Sequence, residues 1–318
     1  MSDKNINENE ELVEKEQDIT PADKPYNVVI EEARQSLYKS YKTSRTISNI
    51  LMFVVVAAIC GIMFLIISNN QVLKILGYSL AGALVIGMVV YYILNRKRFP
   101  NKIKEYVPFV AKVLNDKMFS AQGFENIEYK TEEKLTMEDL VGDGVYAEAT
   151  GINSRNIVRG TYRGHHFTYA EAALLRPSSR KQQVPPLFVG RYISMPNQMK
   201  FDNRYIFVFR NPKQPNDLPN KTDDLVVLED KDECLVYGPE GANYHNDIDN
   251  KIISQLKRLK VEGHLLNVNV VFWAGHTAVY LSYDDPILAV PFEHELDVKA
   301  FEGSLEDLMI CFNAITEE

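Results

Sequence analysis

The 318-residue sequence predicts an α+β protein: an N-terminal two-helix transmembrane hairpin with flanking stalk helices, then a mainly antiparallel β-sheet domain with two packed helices. Three observations carry that reading. Two long runs near the N-terminus hold no charged residue, 50–67 and 75–94. Beyond residue 119 short alternating runs are separated by turn residues. No βαβ alternation follows, and that alternation would signal a parallel sheet.

Residues 1–24 come first, with eight acids and three bases. A segment this polar buries too little apolar surface to order itself, so a solvated acidic tail is expected. A docking segment for a basic partner is the alternative. Residues 25–46 read as a juxtamembrane helix after Pro25, with Val28, Val29, Ala33, Leu37 and Tyr41 on one face.

Residues 47–94 form the hairpin. A spanning helix needs about 20 apolar residues, and both runs meet that length. Two buried core helices are the alternative, but soluble helices rarely lack charge for so long. A cleavable signal peptide is excluded by position. The link Ser68–Lys74 (SNNQVLK) is short and polar, so the helices are antiparallel. Outside them lie Lys39, Lys42, Arg45, Arg96, Lys97, Arg98, Lys102 and Lys104, against Lys74 alone in the link. Basic flanks stay cytoplasmic, so a multi-pass cell-membrane protein with both termini in the cytoplasm is expected.

Small residues recur every four positions: Ala57 and Gly61, then Ser79, Ala83 and Gly87. They suit close helix packing, either within the hairpin or in a homo-oligomer. No charged residue lies inside either span, as an ion or proton path would require. The hairpin therefore reads as an anchor in the lipid bilayer, with Tyr91 and Tyr92 at the interface.

Residues 95–118 read as a basic juxtamembrane helix despite Pro108, through Ile103, Val107, Phe109, Val110, Val113 and Leu114. A stalk with the first helix is the expectation, and an interfacial helix the rival. Residues 119–318 form the cytosolic α+β domain. Residues 156–162 and 166–174 make a hairpin across Arg163-Gly164. Further strands are 187–193, 204–209, 225–228 and 234–237. Residues 265–273 and 277–283 make a second hairpin across Ala274-Gly275-His276. In its first strand Leu266, Val268, Val270 and Phe272 alternate with Asn267 and Asn269, which predicts one buried face. A helix capped by Asn246 or Asp247 carries Ile252, Ile253, Leu256 and Leu259. The last helix is capped by Ser304, with Leu305, Leu308, Met309, Phe312 and Ile315 as its stripe. Residues 177–185 and 211–223 read as exposed loops.

Charge and motif exclude several functions. Residues 106–318 hold 22 bases and 32 acids, a net of −10 that repels phosphate backbones, so no nucleic acid partner is expected. Cys60, Cys234 and Cys311 form no CxxC, so neither a zinc site nor a disulfide framework is expected. Adjacent His165 and His166 point to opposite strand faces and cannot chelate one metal. His276 at its hairpin tip reads as solvated, and His294 lacks the second histidine of HExxH. Gly142-Asp143-Gly144 reads as a polar turn. The acids Asp223, Asp224, Glu229, Asp230, Asp232 and Glu233 read as turn residues rather than a cation site. No phosphate loop, nucleophile elbow or cofactor motif is present in the sequence, and no cofactor is expected.

The order of these features, with the segments GDGVYAEATG (142–151), IVRGTYRGHHFTYAEAALL (157–175), PPLFVGRYI (185–193), LVVLEDKDECLVYG (225–238) and NVNVVFWAGHTAVYLS (267–282), resembles the bacterial domain of unknown function 3137 family over residues 26–318. The resemblance implies architecture, no assigned activity, and a hint of a membrane partner of the LemA type; the expected partner is a membrane or a cytosolic protein. The expected function is a membrane-anchored protein-binding or scaffold module. A membrane-tethered hydrolase with a dispersed site and an accessory subunit of a membrane complex are the alternatives. The candidate site is a patch of Arg163, His165, His166, Glu171 and Arg191, expected to be exposed at its arginines and histidines. In the enzyme alternative Glu171 and either histidine supply acid–base chemistry.

Overall fold

The computed structural model describes residues 24–95, 98–130, 132–140, 143–177, 184–197, 202–211, 224–231, 233–284 and 292–316, without the side chains of 92–101. The acidic tail before Lys24, most of the two expected loops, Gly142, Asp223, Asp232, the basic pair Arg96 and Lys97, and the side chain of Tyr92 lie outside the described residues. The chain divides into two units: Met1–Leu114 with Val290–Leu296, and Asn115–Ala289 with Asp297–Glu318.

In the first unit the juxtamembrane helix and the first span are one uninterrupted helix, α1 (Tyr26–Ile67, 42 residues). No proline interrupts it, and Pro25 stands just ahead of the first turn, where its fixed φ is tolerated. Ile30, Arg34 and Leu37 form its buried face. The link is shorter than expected: Asn70 Oδ1 accepts from Val72 N at 2.9 Å, and α2 (Gln71–Asn95) begins there. Helix α3 (Arg98–Met118) runs through Pro108 as expected, burying Tyr106, Val110, Ala111 and Leu114. Lys102 Nζ of α3 donates to Ser40 Oγ of α1 at 2.9 Å. The strap 292–296 joins this unit: Phe292 packs edge-on against Tyr41 at 5.3 Å, and its carbonyl accepts from Arg34 at 3.3 Å.

Helices α1 and α2 are long and apolar enough to cross a membrane, which marks the chain as membrane-associated. Phe53 and Phe64 are 77% and 79% exposed, so the alternative of two buried core helices fails. The packing within the hairpin differs from the expected small-residue faces. Gly77 is the buried residue of α2 among the described side-chain positions, and a Cβ there would lie 2.9 Å from the Ile66 side chain. A Cβ at Gly61 or Gly87 would meet nothing within 4 Å.

The second unit is built on a nine-stranded sheet in the order β1-β2-β3-β4-β9-β8-β5-β7-β6, antiparallel at every pairing. The strands are β1 (Phe124–Lys130), β2 (Gly151–Tyr162), β3 (His165–Leu175), β4 (Phe188–Pro196), β5 (Tyr205–Arg210), β6 (Val226–Lys231), β7 (Cys234–Gly238), β8 (Leu265–Trp273) and β9 (His276–Tyr283). Arg163 (φ 49°) and Gly164 (φ 84°) make the two-residue turn between β2 and β3, as expected for a twisted hairpin. His276 belongs to β9 rather than to its turn.

One face of the sheet packs on helices and the other on a loop. Helix α6 (Val298–Thr316) lays Phe301, Leu308, Cys311, Phe312 and Ile315 on the first face beside α5 (Asn250–Leu256). Phe124, Tyr162, Phe167 and Phe312 meet there with ring centroids 4.5–5.6 Å apart. The expected caps shift. Asp249 caps α5, after the short α4 (Tyr244–Asp247). Asp297 Oδ1 accepts from Ala300 N at the start of α6, so Ser304 lies inside the helix and is buried. On the opposite face Leu135, Leu140 and Val145 of the 132–149 loop cover Ala172, Tyr192, Val271 and Tyr280. Asn269, expected on a solvent face, is therefore fully buried and donates to Tyr146 Oη at 2.9 Å.

Candidate functional site

The covering loop is pinned at its start. Ser154 Oγ accepts from Leu135 N at 2.7 Å, and Thr136 and Asp139 form a reciprocal capping box around a 3-10 turn. The chain then turns at Gly144 (φ 66°), where a Cβ would lie 2.8 Å from the Arg204 guanidinium. This turn drives the Asp143 carboxylate into the sheet face.

Asp143 is 1% exposed. Its Oδ2 accepts from the hydroxyls of Tyr192 (3.3 Å) and Tyr280, neighbours in register on β4 and β9. Burial, reinforced by the adjacent carboxylate, pushes both phenols up, so they remain donors. Its Oδ1 has no hydrogen bond and lies 3.3 Å from His276 Nε2. His276 in turn faces an open cleft of about 600 Å³ at that end of the sheet, with Glu128, Arg159, Thr161, His166 and Ser194 on its other walls. Hydroxyls, an imidazole pair, an arginine and a carboxylate thus converge on one concave surface, suited to a hydrogen-bonding polar ligand.

The expected patch does not form. Arg163 is exposed at the turn, its guanidinium 5.3 Å from the Tyr162 ring. His166 is exposed and lines the cleft, whereas half-buried His165 points to the other face. Glu171 is buried, held by Arg155 Nε (2.6 Å) and Asn156 Nδ2 (2.9 Å). It lies five positions from His166 along one strand, an odd offset, so the two sit on opposite faces and make no acid–base pair. Arg191, expected at the surface, is 2% exposed because β4 runs beneath α6. It donates to the Ser304 carbonyl (2.9 Å) and hydroxyl (3.0 Å), and lies 5.4 Å from the Tyr283 ring. Those bonds tie α6 to the sheet.

The site residues missed in the sequence are Asp143, His276, Ser194, Thr161 and Arg159. The one signal was an aspartate between two glycines, which reads equally well as a surface turn. Among the described residues no group of three His, Cys, Asp or Glu side chains could hold a metal ion. Burial pushes the Cys234 thiol up to about 12 and the Cys311 thiol up as well, so both are inert as nucleophiles.

No family model and no curated protein matches the chain. Among solved structures, the mycobacterial trehalose monomycolate transport factor A, TtfA, is similar at 11% identity, with a TM-score of 0.37, over 65% of this chain and 94% of that one. At that score the function must be argued from the chain itself.

Proposed function

We propose that this chain is a membrane-anchored binding module of the domain of unknown function 3137 type. The hairpin 47–94 anchors it with both termini in the cytoplasm, and the sheet domain presents the cleft to a protein partner, LemA-type proteins among them. The observation that carries the reading is the cleft itself, where Arg159, Thr161, His166, Ser194 and His276 line one concave surface and buried Asp143 stands behind His276. Crosslinking in intact cells followed by mass spectrometry tests it. A partner lost on His166→Ala and His276→Ala, and kept on Arg163→Ala, is the expected result. A partner retained by both cleft variants overturns the assignment of the cleft. A cysteine placed at Asn69 should react with a membrane-impermeant reagent in intact cells, and protection there overturns the topology.

One observation favours a hydrolase instead: Ser194 and His276 both line the cleft, and buried Asp143 stands behind His276. Ser194 bonds to the Tyr192 hydroxyl, and no hydrogen bond joins it to His276 among the described residues, as an activated nucleophile would require. Covalent labelling of Ser194 by a serine-directed phosphonate would revive that reading.

A further inference from the structure

The first unit carries a belt of exposed cations that no acid neutralises among the described residues. Lys39, Lys42 and Arg45 on α1 and Lys104 on α3 are exposed and form no ion pair among the described residues. Lys102 is exposed too, and its hydrogen bond to Ser40 Oγ is to a neutral partner. That 2.9 Å bond also sets the two helices in register: Lys102 lies level with Ser40, between Lys39 and Lys42 along α1. The cations of both helices therefore share one belt. Because α1 is continuous, the height of the belt follows from the helical rise. Arg45 sits about 7 Å and Lys42 about 12 Å beyond Ile50, where the apolar run starts. The headgroup layer and a Debye length of about 8 Å cover that interval. Long lysine stems bring the ammonium groups back toward the interface. Glu105 is the neighbouring acid on α3 and is exposed.

We infer that this belt is a binding site for anionic phospholipid headgroups, through Lys39, Lys42, Arg45, Lys102 and Lys104. The inference rests on the membrane-anchored reading above. Uncompensated cations at this height attract phosphate and carry no information about acyl chains, so the site selects headgroup charge. The rival occupant is the acidic segment before Lys24, whose charge is also complementary.

The test uses the full-length protein in neutral detergent, titrated with phosphatidylglycerol and with phosphatidylcholine, with bound lipid counted by native mass spectrometry. Phosphatidylglycerol should bind more tightly, with affinity falling as salt rises. Replacing the five cations by glutamine should weaken it about tenfold or more and leave phosphatidylcholine unchanged. The salt series on the unmodified protein keeps the test decisive should the variant misfold. Equal, salt-independent affinity for the two lipids overturns the proposal. So does preference for phosphatidylglycerol that emerges only after residues 1–23 are deleted, which would assign the belt to the tail. Release of the protein from cell membranes by alkaline carbonate would sink the anchor reading itself, a separate result.

Discussion

Asp143 Oδ1 stands 3.3 Å from His276 Nε2, where a fully buried carboxylate meets the wall of an open cleft. The other oxygen of the same carboxylate holds Tyr192 and Tyr280. Asp143→Ala would strand two buried hydroxyls, costing about 2–4 kcal/mol, whereas Asp143→Asn keeps an acceptor and should cost about 1 kcal/mol. Denaturant unfolding of the purified protein distinguishes them. Equal losses would show that the tyrosines do not depend on that oxygen.

At Gly190 the sheet leaves no room for a side chain. A Cβ there would lie 1.9 Å from the Leu281 carbonyl oxygen, across the join between β4 and β9. Neither strand can retreat, since each is paired on its far side as well. Gly190→Ala should cost about 3 kcal/mol, at the upper end for overpacking. A thermal midpoint unchanged by that variant would show that β4 and β9 have room for a methyl group at this position.

Burial raises the Asp307 carboxyl from 3.8 to about 6, against the opposing pull of Arg191. The native state therefore holds more protons than the unfolded chain between about pH 4 and 6, and this group's contribution to stability falls as pH rises through that window. Asp307→Asn should stabilise the protein by about 1 kcal/mol at pH 7.5, after allowance for its partial exposure, and by almost nothing at pH 4. Melting curves of both proteins across that range provide the check. A benefit independent of pH would show that charge is not the cause.

Within the hairpin, Gly77→Leu should splay α1 from α2, because its new side chain would enter the space held by Leu65 and Ile66. Gly61→Leu should leave the hairpin intact, as nothing lies within 4 Å. Thermal stability in detergent should fall for the first variant alone. The opposite ranking would put the hairpin contact on the Gly61 face.

What could be read beforehand followed physical periodicity. Two uncharged runs and clean alternation at Val268, Val270 and Phe272 announced the hairpin and the antiparallel sheet. Strand β1 escaped because FENIEYK alternates poorly and breaks at Asn126, which has φ 53°. Asn269 misled because a polar residue in a strand signals water only when nothing covers that face, and the cover comes from residues 132–149, far away in sequence. Arg191 misled in the same way: charge argues for exposure until a helix over a hundred residues later supplies Ser304 as a partner. The cleft was invisible since its walls come from five strands, and pairing across strands leaves no trace in local spacing.

The 42-residue helix α1 also works as a mechanical element. At 1.5 Å per residue it is a rod of roughly 60 Å, about twice the thickness of the hydrocarbon layer. No proline breaks it, so its apolar half and the turns that carry Arg34 and Tyr41, which hold Phe292, belong to one continuous helix. The strap is thus attached to a lever whose other arm is the apolar run, and a tilt of that run would carry residues 292–296 with it.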